Sequence, residues 1–311
     1  MTNPLPLSRR FATLVQREWL QHHRAWLILS AVTPLVMLAL LSLGRMDVTF
    51  DDDEAQRQLS ALPAAGVALL TIMAAAIGCF VLAWMSSLLQ APGLARRDSS
   101  DRSIEFWLSL PVGHVPALAA PLLTHLLLFP LGALAVGTVL GLALSPLSVA
   151  RFATLGEWFT LPWGLLLGAS LSLVLRTALG LLLATLWLSP LILLAMAASA
   201  WLKRWGLPAL VAGLLVAGGL LDKVYGNPVI TAVGERLFTL AGQSFVTGRA
   251  PSSMKMVPGE DPTAAMGALP GALWADAGHA LAALADPLLA LALAVSCACF
   301  GLLVLRRRRG N

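Results

Sequence analysis

The side chains that could carry out chemistry are few in this sequence and lie far apart along it. The acidic run DDDE at 51–54 resembles half of a calcium loop, but it lacks the alternating ligand spacing and the glycine turn of such loops. We interpret it as a solvated loop. His125 is the ionisable residue deepest within an apolar run, and we interpret it as a neutral histidine hydrogen-bonded to a neighbouring helix. We therefore predict no catalytic, cofactor-binding or metal site in this chain.

Motifs that would let the chain drive work by itself are missing from the sequence. It contains no G-x-x-x-x-G-K-[ST] loop for nucleotide phosphates, no H-E-x-x-H pair and no G-x-S-x-G nucleophile elbow. Acidic residues are almost missing from the apolar runs, so no proton or sodium relay of a driven carrier is evident. We predict that the chain is not an enzyme and that any energy it uses comes from another protein.

The composition is that of an integral membrane protein. Of the 311 residues, 58% are hydrophobic and 12% are charged, against roughly 45–50% and about 25% in soluble domains. The mean hydropathy is +0.80, and apolar runs of the length of a membrane-spanning helix recur throughout the chain. We predict an all-α polytopic fold. Because Lys and Arg collect in cytoplasmic loops of membrane proteins, we interpret the net charge of +5 as a sign of topology and predict no nucleic-acid partner.

We expect a single transmembrane domain over residues 1–311, with six spans and both termini in the cytoplasm. The expected spans are 25–44, 63–90, 115–143, 177–201, 206–222 and 287–305. Residues 1–24 form an amphipathic helix in the cytoplasmic interface, in which Glu18 interrupts the apolar face that Leu14 and Trp19 share. The third span holds several prolines and should be kinked. Residues 223–286 form a long outer segment with short helices that rest on, or dip into, the outer leaflet.

The number of spans depends on how the middle of the chain is arranged. The apolar runs number seven, but four arginines at 306–309 directly after the last run indicate the cytoplasm, so one run does not cross. In the arrangement that we favour, residues 158–175 lie along the outer interface, and Lys203 and Arg204 face the cytoplasm. In the alternative, 158–175 cross the membrane, the chain turns at Arg176, and 206–222 are re-entrant.

Residues 96–113, RRDSSDRSIEFWLSLPVG, stand out because they connect the second and third spans and yet are rich in large apolar side chains. A loop of this kind exposes an apolar cluster that usually marks a docking surface. Two apolar stripes and a charged rim indicate a short helix held between its own bundle and a partner. The residues that we assign to this docking helix are Arg96, Arg97, Asp98, Asp101, Arg102, Ile104, Glu105, Phe106, Trp107, Leu108, Leu110 and Pro111.

The segment 96–113 resembles the cytoplasmic segment of ABC (ATP-binding cassette) permeases of the type-2 exporter class, R-D-R-S-[apolar]-x-F-W-x-S-L-P-V-[SG]. Three weaker similarities accompany it. Residues 16–24 resemble the R-E-x-W-x-H-R elbow of that family, 186–190 resemble its L-W-x-x-P, and 199–204 resemble its S-A-W-[A]-[KR]-[KR]. The arginines at 306–309 after the last span also fit.

The resemblance implies a permease subunit of an ATP-driven exporter in a cell membrane, in bacteria the inner membrane. Residues 96–113 would be its coupling helix, which fits into a cleft of a separate ABC ATPase subunit. ATP and Mg would be bound by that partner and no cofactor by this chain. The permease would pair with itself or with a related permease, and the lipid bilayer would surround it. The alternative, a secondary carrier or channel without an ATPase partner, would need ion-coupling groups in the spans.

Overall fold

A computed structural model describes residues 7–43, 63–95, 113–248 and 262–309. Every regular element in these ranges is helical. Five helical segments are long and apolar enough to cross a membrane: Ser8–Leu43, Ala64–Leu94, His114–Phe152, Trp163–Tyr225 and Leu288–Arg308. The predictions of an all-α fold and of a multi-pass membrane protein are therefore confirmed. The acidic run at 51–54 lies outside the described residues.

Helix α1 (Leu7–Leu43) runs without a break through the expected boundary between the interfacial helix and the first span, and is 37 residues long. Its buried positions include Leu14, Glu18, Trp26 and Ser30, which are spaced by multiples of four residues and so share one face. Trp19, which the sequence analysis placed on the apolar face, is 39% exposed. The first half of α1 thus packs against the other helices through the face that contains Glu18.

Helices α2 (Ala64–Leu94) and α3 (His114–Phe152) pack against each other along most of their length. A Cβ atom at Gly137 would lie 2.6 Å from the carbonyl oxygen of Ala75, and one at Gly141 would lie 2.7 Å from the Cα of Ile72. Only glycine permits backbones this close. Helix α3 changes to a π-helical turn at Thr124–Leu128, directly before Pro130. Because proline cannot donate a backbone hydrogen bond, its presence disturbs the helical ladder here; the expected kink of this span stays a prediction.

The middle of the chain differs from both expected arrangements. After the short helix α4 (Leu155–Phe159), a single helix α5 (Trp163–Leu202) of 40 residues contains most of the run 158–175 and all of 177–201. A separate interfacial helix over 158–175 and a turn at Arg176 are both absent from this described range. The side chain of Arg176 is buried and paired with an acidic side chain of a later helix, and α5 continues through it without a turn.

A tight turn follows α5 and leads into α6 (Gly206–Tyr225). Lys203 in this turn has φ +53°, a conformation that L-residues rarely adopt. Gly206 packs against the backbone of Ser199, where any Cβ would collide. The segment Trp163–Tyr225 therefore consists of two helices, α5 and α6, that pack against each other.

The described part of the segment 223–286 packs on the helix bundle, and its expected place at the outer leaflet stays a prediction. It contains helices α7 (Val229–Gln243) and α8 (Pro262–Ala282), and both contact α5. Leu237 and Leu240 of α7 and Ala277 of α8 are buried. The last helix, α9 (Leu288–Arg308), also lies along α5, and a hydrogen bond of 2.8 Å joins the hydroxyls of Ser189 and Ser296. Helix α5 is thus the central helix of the second half of the chain, and α6, α7, α8 and α9 all pack against it.

Candidate functional site at the basic end of the helix bundle

Basic side chains gather at one end of the bundle, which we call the basic end. The guanidinium group of Arg306 lies 5.0 Å from the ring of Trp201, so the end of α9 meets the end of α5. A cavity of about 450 Å³ at the same place is lined by His22, Leu94 and Lys203. The end of α2 and the first half of α1 therefore lie at this end too. The basic residues that follow α5 and end α9 are Lys203, Arg204, Arg306, Arg307, Arg308 and Arg309.

The predicted docking residues, from Arg96 to Pro111, lie outside the described residues. The chain leaves the described part of the structure just after α2 and returns at Gly113, directly before α3. Leu94 lines the cavity at the basic end. Leu118, in the first turns of α3, belongs to the same hydrophobic cluster as Leu303 and Val304 of α9. Both attachment points of the segment 96–112 are thus near the basic end.

A cluster of three ionisable side chains lies beside this cavity and joins α1 to α3. Glu18 is fully buried, and its Oε1 accepts a hydrogen bond of 2.6 Å from Nη2 of Arg17. Its Oε2 lies 3.9 Å from Nδ1 of His22 and 3.8 Å from Nε2 of His125. The rings of His22 and His125 meet edge to face with their centroids 4.8 Å apart. We call Glu18, His22 and His125 the His–Glu cluster.

Local geometry explains how these side chains meet. Glu18 and His22 are four residues apart on α1 and therefore share a face. His125 lies in the π-helical turn of α3, a kind of turn that is frequent at functional sites. The indole of Trp26 donates a hydrogen bond of 2.9 Å to the carbonyl of Phe129, one turn beyond the cluster. This bond and the contact between the rings of Trp26 and Phe129, whose centroids are 6.2 Å apart, hold α1 against α3.

Sequence reasoning missed the His–Glu cluster. It treated Glu18 as an interruption of an apolar face and found no partner for His125. The signal in the sequence was the spacing of Glu18 and His22 on one helix, with His125 in an apolar run of another. The expectation of a hydrogen bond to a neighbouring helix does not hold for Nε2 of His125, which has no hydrogen-bond partner in the described part of the chain.

A second buried polar network lies further along α5 and joins three helices. Nε and Nη2 of Arg176 donate hydrogen bonds of 3.1 and 2.7 Å to Oδ2 of Asp276 on α8, and Nη1 donates one of 2.6 Å to the carbonyl of Ser244 after α7. Oδ1 of Asp276 accepts hydrogen bonds from the backbone N–H and the hydroxyl of Thr247. Burial acts to raise the pKa of Asp276, but the bonds from Thr247 and Arg176 outweigh it and lower that pKa.

Comparison of this chain with family models, with curated proteins and with solved structures finds no match. Its function is therefore inferred from its own residues and their arrangement. Two features of that arrangement bear on function: the attachment points of the segment 96–112 near the basic end, and the His–Glu cluster beside the cavity at the same end.

Proposed function

We propose that this chain is the membrane-spanning permease subunit of an ATP-driven exporter of the ABC type-2 class. The observation that carries the proposal is the segment RRDSSDRSIEFWLSLPVG at 96–113, an apolar sequence with a charged rim between two membrane-length helices. A separate ATPase subunit binds this segment as a coupling helix. ATP and Mg²⁺ are bound by that subunit and not by this chain.

The basic end of the bundle faces the cytoplasm in this proposal. Lys203, Arg204 and the arginines at 306–309 are the cations that the positive-inside rule assigns to that side. Six helices cross the membrane: α1, α2, α3, α5, α6 and α9. An even number of crossings agrees with the basic residues at both ends of the chain, and the cell membrane, in bacteria the inner membrane, is its location.

The packing of α2 on α3 supports a mechanism for energy transfer. The coupling helix is attached to both helices, and their backbones touch along Gly137 and Gly141. Helices packed this closely move as one body, because their separation cannot change without loss of many contacts. When two ATPase subunits close on ATP, the coupling helix pushes this pair and switches the permease between inward-facing and outward-facing states. The pathway lies between two copies of this chain or between it and a related permease.

Co-purification with the ATPase subunit tests the proposal. The double variant Phe106→Ala with Trp107→Ala removes the two aromatic anchors of the coupling helix, and we expect it to lose the ATPase subunit while it still inserts into the membrane. The matched control is Phe152→Ala with Phe159→Ala, which removes two aromatic rings that are 51% and 70% exposed near the end of α3 remote from the attachment points. We expect the control to keep the ATPase. Undiminished co-purification of the Phe106/Trp107 variant would refute the docking role of 96–113.

The alternative is a secondary carrier or channel without an ATPase partner. One observation favours it: the His–Glu cluster places a buried carboxylate next to two histidines, a combination that proton-coupled carriers use. Purified chain in sealed vesicles distinguishes the two functions. An exporter of the proposed kind moves its cargo only when the ATPase subunit and ATP are present, whereas a carrier responds to a pH gradient without them.

A further inference from the structure

We propose that the His–Glu cluster is a binding site for a divalent transition-metal cation, with Zn²⁺ as the reference ion. Two imidazoles and one carboxylate are the donor set found in several open zinc sites. One ligand atom from each of Glu18, His22 and His125 lies within 4.8 Å of the other two. The site joins only α1 and α3 and does not depend on the proposed ATPase partner.

The distances between the ligand atoms suit an ion that draws them together. Oε2 of Glu18 lies 3.8 Å from Nε2 of His125 and 3.9 Å from Nδ1 of His22. Both distances are too long for hydrogen bonds. Ligand atoms about 2.0–2.1 Å from a tetrahedral zinc ion are about 3.3–3.5 Å apart. All three ligand atoms lie within 4.8 Å of one another, so side-chain rotation has to bring the most distant pair closer by at most about 1.4 Å to complete the coordination.

His125 supplies the second, independent observation. Its side chain is 2% exposed, and Nε2 is a buried polar atom without a hydrogen-bond partner in the described part of the chain. Buried polar groups in native proteins nearly always have a partner, and an exception needs an explanation. This atom points toward the carboxylate of Glu18 at a distance that leaves room for an ion. A cation between them would give Nε2 of His125 its missing partner.

Neighbouring groups hold two of the ligands in position. Arg17 donates a short hydrogen bond of 2.6 Å to Oε1 of Glu18, which fixes the orientation of the carboxylate. The second oxygen, Oε2, faces the histidines. Nδ1 of His22 lies 3.1 Å from the carbonyl of Glu18, the kind of backbone contact that orients metal-binding imidazoles, so Nε2 would be the ligand atom of this residue.

An ion has both a route to the cluster and space beside it. A cavity of about 60 Å³ is lined by both histidines together with Gln90 and Phe129. This volume accommodates one metal-bound water. His22 and Gln90 also line the cavity of about 450 Å³ at the basic end. The bound ion would join the first half of α1 to the π-helical turn of α3. Helix α3 begins at His114, directly after the segment 96–112, and His125 lies eleven residues further along it.

Metal binding to the full-length chain tests the site. The protein is purified in detergent with an affinity tag that contains no histidine, stripped with a chelator, and dialysed against Zn²⁺. Bound zinc is measured by mass spectrometry, and Co²⁺ replaces zinc to give visible absorption bands typical of a low-symmetry site. We expect about one ion per chain in the unmodified protein. His125→Ala and His22→Gln should each weaken binding by about 100-fold or more, because loss of even an outer partner costs about 10–100-fold.

The matched control is His23→Gln, the neighbouring histidine on the same helix, whose Nδ1 contacts the carbonyl of Leu20 and not the cluster. We expect it to bind zinc like the unmodified chain. His22 is 28% exposed in its side chain, so His22→Gln is expected to fold even where His125→Ala does not. Zinc binding that is absent from the unmodified chain, or equal in His22→Gln and His23→Gln, would overturn the proposal.

Discussion

The buried ion pair between Arg176 and Asp276 allows a quantitative test of what holds the second half of the chain together. Their side chains are 4% and 2% exposed, and the shortest distance between them is 2.7 Å. Arg176 also bonds the carbonyl of Ser244, so the pair joins α5 to α8 and to the end of α7. The substitution Arg176→Met keeps an unbranched apolar stem and removes the guanidinium. It leaves Oδ2 of Asp276 and the carbonyl of Ser244 buried without the donors that Arg176 supplied.

The expected cost follows from that loss of partners. Breaking a buried pair by removal of one member costs about 3–5 kcal/mol, because a charge is left uncompensated in a medium of low polarity. At about 2 °C per kcal/mol for a large chain, Arg176→Met should lower the midpoint of thermal unfolding by about 6–10 °C. The double variant Arg176→Met with Asp276→Asn should recover part of this loss, because it removes the buried charge as well.

The pH dependence has a definite sign. The pKa of Asp276 lies below its ordinary value, so its ionised form stabilises the fold at neutral pH, and this stabilisation is lost as the pH falls through the lowered pKa. In Arg176→Met, protonation of Asp276 instead removes the uncompensated charge. The difference in thermal midpoint between the unmodified protein and Arg176→Met should therefore become smaller as the pH is lowered from 7 toward about 4, where carboxyl groups begin to take up protons.

Tryptophan fluorescence during heating in detergent is a suitable assay, with Arg236→Met as the matched control. Arg236 donates a hydrogen bond of 3.0 Å to Asp286, but its side chain is 55% exposed. We expect almost no change from that substitution, because solvent screens exposed ion pairs. A midpoint for Arg176→Met equal to that of Arg236→Met would refute the view that the buried pair holds α8 on α5.

Two further predictions concern the turn between α5 and α6. Gly206→Ala places a Cβ against the backbone of Ser199 and should destabilise by about 1–3 kcal/mol, whereas Gly213→Ala on the same helix meets no atom within 4 Å and should stabilise by about 0.5–1 kcal/mol. Thermal unfolding of both variants tests this, and equal midpoints would contradict it. Arg204→Cys in a Cys297→Ser background should resist a membrane-impermeant thiol reagent applied from outside intact cells and react after lysis. Labelling in intact cells would place the basic end outside and overturn the proposed topology.

Composition and charge alone were enough to predict the class of fold. Membrane-length apolar runs must be helices because backbone groups in lipid have to be satisfied within their own segment. For this reason the expected runs beginning at 63 and 287 match α2 and α9 closely. A π-helical turn also precedes Pro130 in the third span, where the prolines were expected to produce a kink. These are local properties, and local sequence predicts them.

The arrangement around Arg176 could not be predicted in the same way. A single charge within a long apolar stretch suggests a boundary, because an unpaired arginine is costly in lipid. Its partner Asp276 is 100 residues away in the sequence, on a helix that the sequence analysis assigned to the outer leaflet. Burial with a partner removes that cost, and α5 continues through Arg176 as a helix.

The His–Glu cluster shows the same division between sequence and tertiary structure. The sequence by itself determined that the chain is a helical membrane protein, whereas the docking role of residues 96–113 stays a prediction. Only the tertiary structure brought His125 to Glu18 and His22 and turned Glu18 toward the bundle. The physical reason is that periodicity indicates which face of a helix is apolar, whereas the neighbouring helix decides which polar side chain can be buried there.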